Sequence, residues 1–145
     1  MTMTNKDYRD FAEKKSPNSP IGTDVLRAFL VGGLICAIGQ GIIGAYLAAG
    51  LTKDAAGTAA SITLVLIGAA LTGLGVYDRI AKFAGAGTLV PITGFANSVV
   101  APALEFKTEG FITGTAAKMF VVAGPVIVFG ITASVVYGLI LCLIK

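Results

Sequence analysis

The chain has 145 residues, of which 55% are apolar and only 13% charged, and it contains neither His nor Trp. A mean hydropathy of +0.85, with charge near half of the roughly 25% usual in soluble domains, excludes an ordinary small globular protein, most of whose side chains would face water. The net charge of +3 is too small and scattered for a nucleic-acid surface, and the lack of His, with Cys36 and Cys142 far apart, removes the usual ligands of a metal centre.

The placement of the charges says more than their number. Nine of the nineteen precede residue 28, and most of the others cluster at 53–54, 78–82 and 105–109. The uncharged runs 28–52, 55–77 and 119–144 hold 25, 23 and 26 residues. Each exceeds the about 20 residues that a helix needs to cross the hydrocarbon core. The sequence therefore predicts an all-α integral membrane protein with three or four spanning helices.

Residues 1–24 are read as a polar tail or a surface helix stopped at Ser16-Pro17, and 25–145 as a single membrane domain. No small-residue cleavage site follows a short apolar stretch near the start, so the first apolar run is expected to be a retained span. Thr23 or Asp24 is the expected cap of the first spanning helix, predicted over 25–49. Within it Gly33, Ala37, Gly41 and Ala45 form a four-residue repeat of small side chains, the pattern by which helices approach closely in lipid. Gln40 lies in the middle of this helix, where a carboxamide facing hydrocarbon is costly; it is expected either to hydrogen-bond within protein or to line a pathway. A second helix is predicted over 58–76, ending in Tyr77-Asp78-Arg79 at the headgroup level.

Residues 83–106 are unlike the rest. Their uncharged part is long enough to span, yet it contains Gly85, Gly87, Pro91, Gly94 and Pro102 together with Thr88, Thr93, Asn97 and Ser98. An unbroken helix is not expected through such a stretch. A break over 85–88, followed by a short helix with Pro91 in its first turn, gives either a re-entrant hairpin or a discontinuous span, and non-helical backbone at membrane depth must face protein or water. After it, a short interfacial helix carrying Gly110, Gly114 and Lys118 is predicted up to Ala123. A last span over 125–143 follows, with Gly130, Ser134 and Gly138 as its packing face. Lys14, Lys15, Arg27, Arg79 and Lys82 favour a cytosolic N-terminus. Re-entry of 83–106 gives three spans, and crossing gives four.

No catalytic constellation is visible. Asp78, Glu105 and Glu109 lie near interfaces with nothing to set two of them across a substrate, and Gly85-Ala86-Gly87 lacks the context of a phosphate loop. No enzyme activity and no cofactor are expected. Two readings remain, a subunit of a transport protein and a structural membrane scaffold; only the first needs the polar, glycine-rich break.

Residues 71–98, LTGLGVYDRIAKFAGAGTLVPITGFANS, together with 28–41, AFLVGGLICAIGQG, and the weaker landmark 105–110, EFKTEG, resemble the SpoVAC/SpoVAEb family of sporulation membrane proteins, and within it the AC branch. The resemblance implies residence in the forespore and spore inner membrane. It also implies a part in moving dipicolinic acid, largely as its calcium chelate, beside a SpoVAEb-like membrane protein and a SpoVAD-like soluble subunit. On that basis Gly85, Gly87, Thr88, Pro91, Thr93, Asn97 and Ser98, with Gln40, are the expected substrate pathway. Arg79 and Lys82 are candidates for steering an anion to its mouth, or for simple anchoring at the interface.

Overall fold

The computed structural model describes residues 4, 6, 8, 9, 11, 15 and 20–144. It is all-helical, with α1 (Ile21–Ala48), α2 (Lys53–Gly73), α3 (Tyr77–Ala84), the single turn α4 (Ala86–Leu89), α5 (Ile92–Glu105) and α6 (Ala117–Ile144). A 3₁₀ turn, Lys107–Glu109, and a π-helical turn, Phe111–Ala116, join α5 to α6. Among the described residues three helical stretches are long and apolar enough to cross a bilayer: Ile21–Ala48, Lys53–Gly73 and Phe111–Ile144. The expected tail or surface helix lies mostly outside the described residues; within it Lys6, Tyr8, Arg9, Phe11 and Lys15 are helical.

The interior is built from small side chains. The buried apolar residues are Ala56, Ala60, Ala84, Ala96 and Ala123 with Tyr77, whereas Leu, Ile, Val and Phe side chains are largely turned outward. That distribution inverts a soluble core, as expected where lipid tails solvate apolar side chains and helices associate through backbone proximity. The chain is a multi-pass membrane protein.

Helix ends follow local chemistry. α1 and α2 both stop in a Schellman arrangement around a positive-φ glycine: at Gly50 (φ 93) the Leu51 amide donates to the Tyr46 carbonyl at 3.2 Å, and at Gly75 (φ 69) the Val76 amide donates to the Leu71 carbonyl at 3.0 Å. α2 starts earlier than predicted because Thr52 caps it, its hydroxyl accepting from the Ala55 amide at 3.4 Å. Neither Thr23 nor Asp24 caps α1; the helix begins at Ile21 after Pro20, without a side-chain cap. The interfacial helix predicted up to Ala123 is not separate from the last span: α6 runs unbroken through Pro125. A proline inside a spanning helix loses one donor, which neighbouring groups and small local adjustments re-satisfy.

The broken stretch re-enters. A Cβ on Gly68 would lie 3.0 Å from the Thr93 carbonyl oxygen, and Thr72 bonds Asn97, so α5 ascends beside α2 in the same direction. It then meets the start of α6, where Lys118 lies 4.2 Å above the Phe106 ring. Residues 83–106 thus leave and return at one end of the bundle, the end that holds the start of α1, the end of α2 and the start of α6.

Candidate functional site

The hairpin is made by two backbone breaks. Gly85 adopts φ 52, ψ −122, a conformation closed to most side chains, and turns the chain out of α3 into α4. Pro91, extended at ψ 157, then turns it into α5. Pro91 is the residue before the first helical one rather than a member of the first turn; its missing amide costs nothing in either place.

Three glycines let the hairpin lie backbone-on-backbone. A Cβ on Gly87 would collide with the Ala28 carbonyl oxygen and stand 2.8 Å from the Ala28 Cα; one on Gly94 would strike the Thr88 carbonyl oxygen; and one on Gly32 would sit 3.1 Å from the Gly87 carbonyl oxygen. α4 is therefore pressed against the part of α1 where its uncharged run begins. The hairpin reaches one to two helical turns past the charged end of α1, on the order of 5–10 Å.

Polar side chains inside the hairpin satisfy one another. The buried Tyr77 hydroxyl donates to the Thr88 carbonyl at 2.9 Å and pairs with Thr93 Oγ1 at 3.1 Å. Thr88 Oγ1 donates to the Gly85 carbonyl at 3.0 Å, Ser98 Oγ to the Phe95 carbonyl at 2.7 Å, and Thr72 Oγ1 is 3.0 Å from Asn97 Oδ1. Among the described residues no buried side-chain polar atom lacks a partner.

Two grooves flank the hairpin on the α1 side. One, of about 430 Å³, is a mouth that includes Asp24, Lys82, Phe83 and Gly85. The other, of about 410 Å³, includes Gly33, Cys36, Gly87 and Pro91 and is almost wholly apolar. Both touch Ala28 and Ala86, where α4 rests on α1, so the two grooves adjoin at that contact and together make an interrupted furrow, with a charged rim on one side and an apolar stretch at membrane depth on the other. Arg27 rests on the Phe83 ring 5.0 Å from its centroid, tying α3 to α1 beside the rim, a contact worth about 0.5–1 kcal/mol. Lys82 bonds Asp78 at 2.8 Å with both side chains mostly exposed.

The expected site residues divide accordingly. Gly85, Gly87 and Pro91 line the furrow, and Lys82 stands at its rim. Gln40 is exposed one turn beyond Cys36, on the same face of α1. Thr88 and Thr93 are buried behind the furrow, Asn97 and Ser98 belong to the α5 side, and Arg79 is exposed on the outer face of α3. Gly33, Gly41, Gly130 and Gly138 have open space where a Cβ would stand, so the small-residue stripes meet nothing within this chain. Tyr77, read from sequence as an interfacial aromatic, is the residue that sequence reasoning missed. Its one legible sign is its place at the head of an eight-residue amphipathic helix.

The chain matches the SpoVAC/SpoVAEB sporulation membrane protein family over residues 24–140, a stretch that contains the whole hairpin and most of all three spans. It belongs to that family. Stage V sporulation protein AC of Bacillus subtilis (strain 168) is similar to this SpoVAC/SpoVAEB chain, at 48% identity over 141 residues, covering 97% of this chain and 94% of the relative. No solved structure matches it.

Proposed function

We propose that this SpoVAC/SpoVAEB chain is a membrane subunit of a complex that moves dipicolinate, as its calcium chelate, across the spore inner membrane. The furrow beside the re-entrant hairpin forms one wall of the route. The observation that carries this reading is the succession of the two grooves along α1, from the rim at Asp24, Lys82 and Gly85 to the apolar stretch at Gly33, Cys36 and Pro91, meeting where Gly87 rests on Ala28. The furrow is open along one side, so a second chain must close it: another copy, or a SpoVAEb-like membrane protein, with a SpoVAD-like soluble subunit at the mouth. Gln40 would then face the deeper end, and Arg79 and Lys82 would raise the local concentration of a dianion. The N-terminal end of α1 is assigned to the cytosolic side by its basic flank.

A scaffold role is the competing reading, favoured by the mutual satisfaction of Thr88, Thr93 and Tyr77 in this conformation. The two are separated by single cysteines at 86, 90, 91 and 40, which border or continue the furrow without entering the Gly87–Ala28 contact, in a chain lacking Cys36 and Cys142, reconstituted with its membrane partner. Labelling by a water-soluble thiol reagent should occur at these positions and reduce dipicolinate flux. Uniform inaccessibility, or full flux after complete labelling, would contradict the pathway reading.

A further inference from the structure

We propose that Tyr77 is the latch of the hairpin, a positioning residue on a lever that opens the two limbs together when α3 swings. Among the described residues, the buried apolar side chains are all alanine except this one, which is 3% exposed. Its hydroxyl reaches both limbs at once: the Thr88 carbonyl on the inward limb at 2.9 Å and Thr93 Oγ1 on the outward limb at 3.1 Å. A phenol has a single proton to give. With that proton on the Thr88 carbonyl, the Thr93 hydroxyl supplies the proton of the second bond, and the three groups form one chain.

The Thr88 carbonyl depends on this donor. In a continuous helix it would accept from the amide four residues on, but the extended Pro91 intervenes and redirects the chain. Thr88 and Thr93 are 2% and 5% exposed, so water does not replace the phenol while the hairpin is shut. Losing the phenol would leave buried groups unpaired, the costly outcome for a polar group away from water.

The element carrying Tyr77 is built to move as a unit. α3 is flanked by Gly75 (φ 69) and Gly85 (φ 52), and a Cβ at either would meet nothing within 4 Å. Its outer face, with Asp78, Arg79 and Lys82, is exposed; the Arg27 guanidinium rests on Phe83, and Tyr77 and Ile80 border a small apolar cavity shared with Leu34 and Ile38 of α1. Rotation about the two glycines withdraws one hydroxyl from both limbs. This deepens the pathway reading, and only its flux consequence rests on that reading.

The test uses the full chain without its native cysteines, reconstituted in liposomes with a cysteine-free membrane partner and carrying a single reporter at Ala84→Cys, Ala96→Cys or Ala123→Cys. All three positions are buried, the first two at the hairpin and the third on α6. In Tyr77→Phe, labelling by a water-soluble maleimide should accelerate about tenfold or more at the first two reporters, the factor expected from losing a buried hydrogen bond, and stay unchanged at the third. Thr93→Val, which keeps the Tyr77–Thr88 bond, should give a smaller increase at the same two. No acceleration at Ala84→Cys and Ala96→Cys in either variant would overturn the latch. Equal acceleration at all three reporters would also overturn it, because the phenol would then serve general stability. Local acceleration with unchanged dipicolinate flux would leave the latch standing and contradict the pathway reading instead.

Discussion

Gly87 and Gly33 come from the same small-residue vocabulary, yet their surroundings differ. Gly87 is pinned against the backbone of Ala28, while a Cβ on Gly33 would meet nothing within 4 Å. Gly87→Ala should therefore cost about 1–3 kcal/mol by forcing α4 off α1, measured as unfolding in detergent. Gly33→Ala should be neutral within about 0.5 kcal/mol or slightly stabilising. Thr72→Val tests the polar tie between α2 and α5. It removes a hydroxyl that lies 2.7 Å from the Gly68 carbonyl within α2 and 3.0 Å from Asn97 Oδ1 across to α5, and should cost about 0.6 kcal/mol and no more than about 1.7, the range measured for hydrogen bonds between membrane helices. The same unfolding experiment reads it, and a null result would make the Asn97 contact incidental.

At the level of the element, Gly75→Ala should lower stability by about 1 kcal/mol, because its φ of 69 ends α2 and releases the chain into α3. The spans were legible in the sequence, since the charge-free runs leave lipid as the only solvent for so many apolar side chains. The break over 83–106 was legible too, from glycine and proline. Its direction was not: re-entry depends on Thr93 and Asn97 finding Gly68 and Thr72, and no local pattern encodes that pairing. α2 is expected from residue 58 but starts at Lys53, because Thr52 provides the cap. The expected division before Pro125 rests on a rule that holds in water and weakens in lipid, and α6 runs through it. Of the expected pathway residues, the glycines and Pro91 border the furrow, whereas Thr88 and Thr93 turn inward to a tyrosine whose partners no spacing rule announces.

In the molecule as a whole, residues 125–144 of α6 are exposed throughout, and the face of α1 bearing Gly33, Ala37, Gly41 and Ala45 is equally uncovered. Helices in lipid gain from close packing across such faces, so Gly33→Leu and Gly130→Leu should each reduce the mass of the assembly in mild detergent while leaving the unfolding of the isolated chain unchanged. An unaltered mass would mean that these faces meet only lipid. The central claim is that residues 83–106 enter the membrane and return. It is tested most directly by single cysteines at Lys53, Asp78 and Glu109, in a chain without Cys36 and Cys142, labelled with a membrane-impermeant maleimide in vesicles of one orientation. The fold predicts that Asp78→Cys and Glu109→Cys react from the same side and Lys53→Cys only from the other. Reaction of Glu109→Cys together with Lys53→Cys, opposite Asp78→Cys, would mean that the segment crosses, and would contradict the re-entrant hairpin.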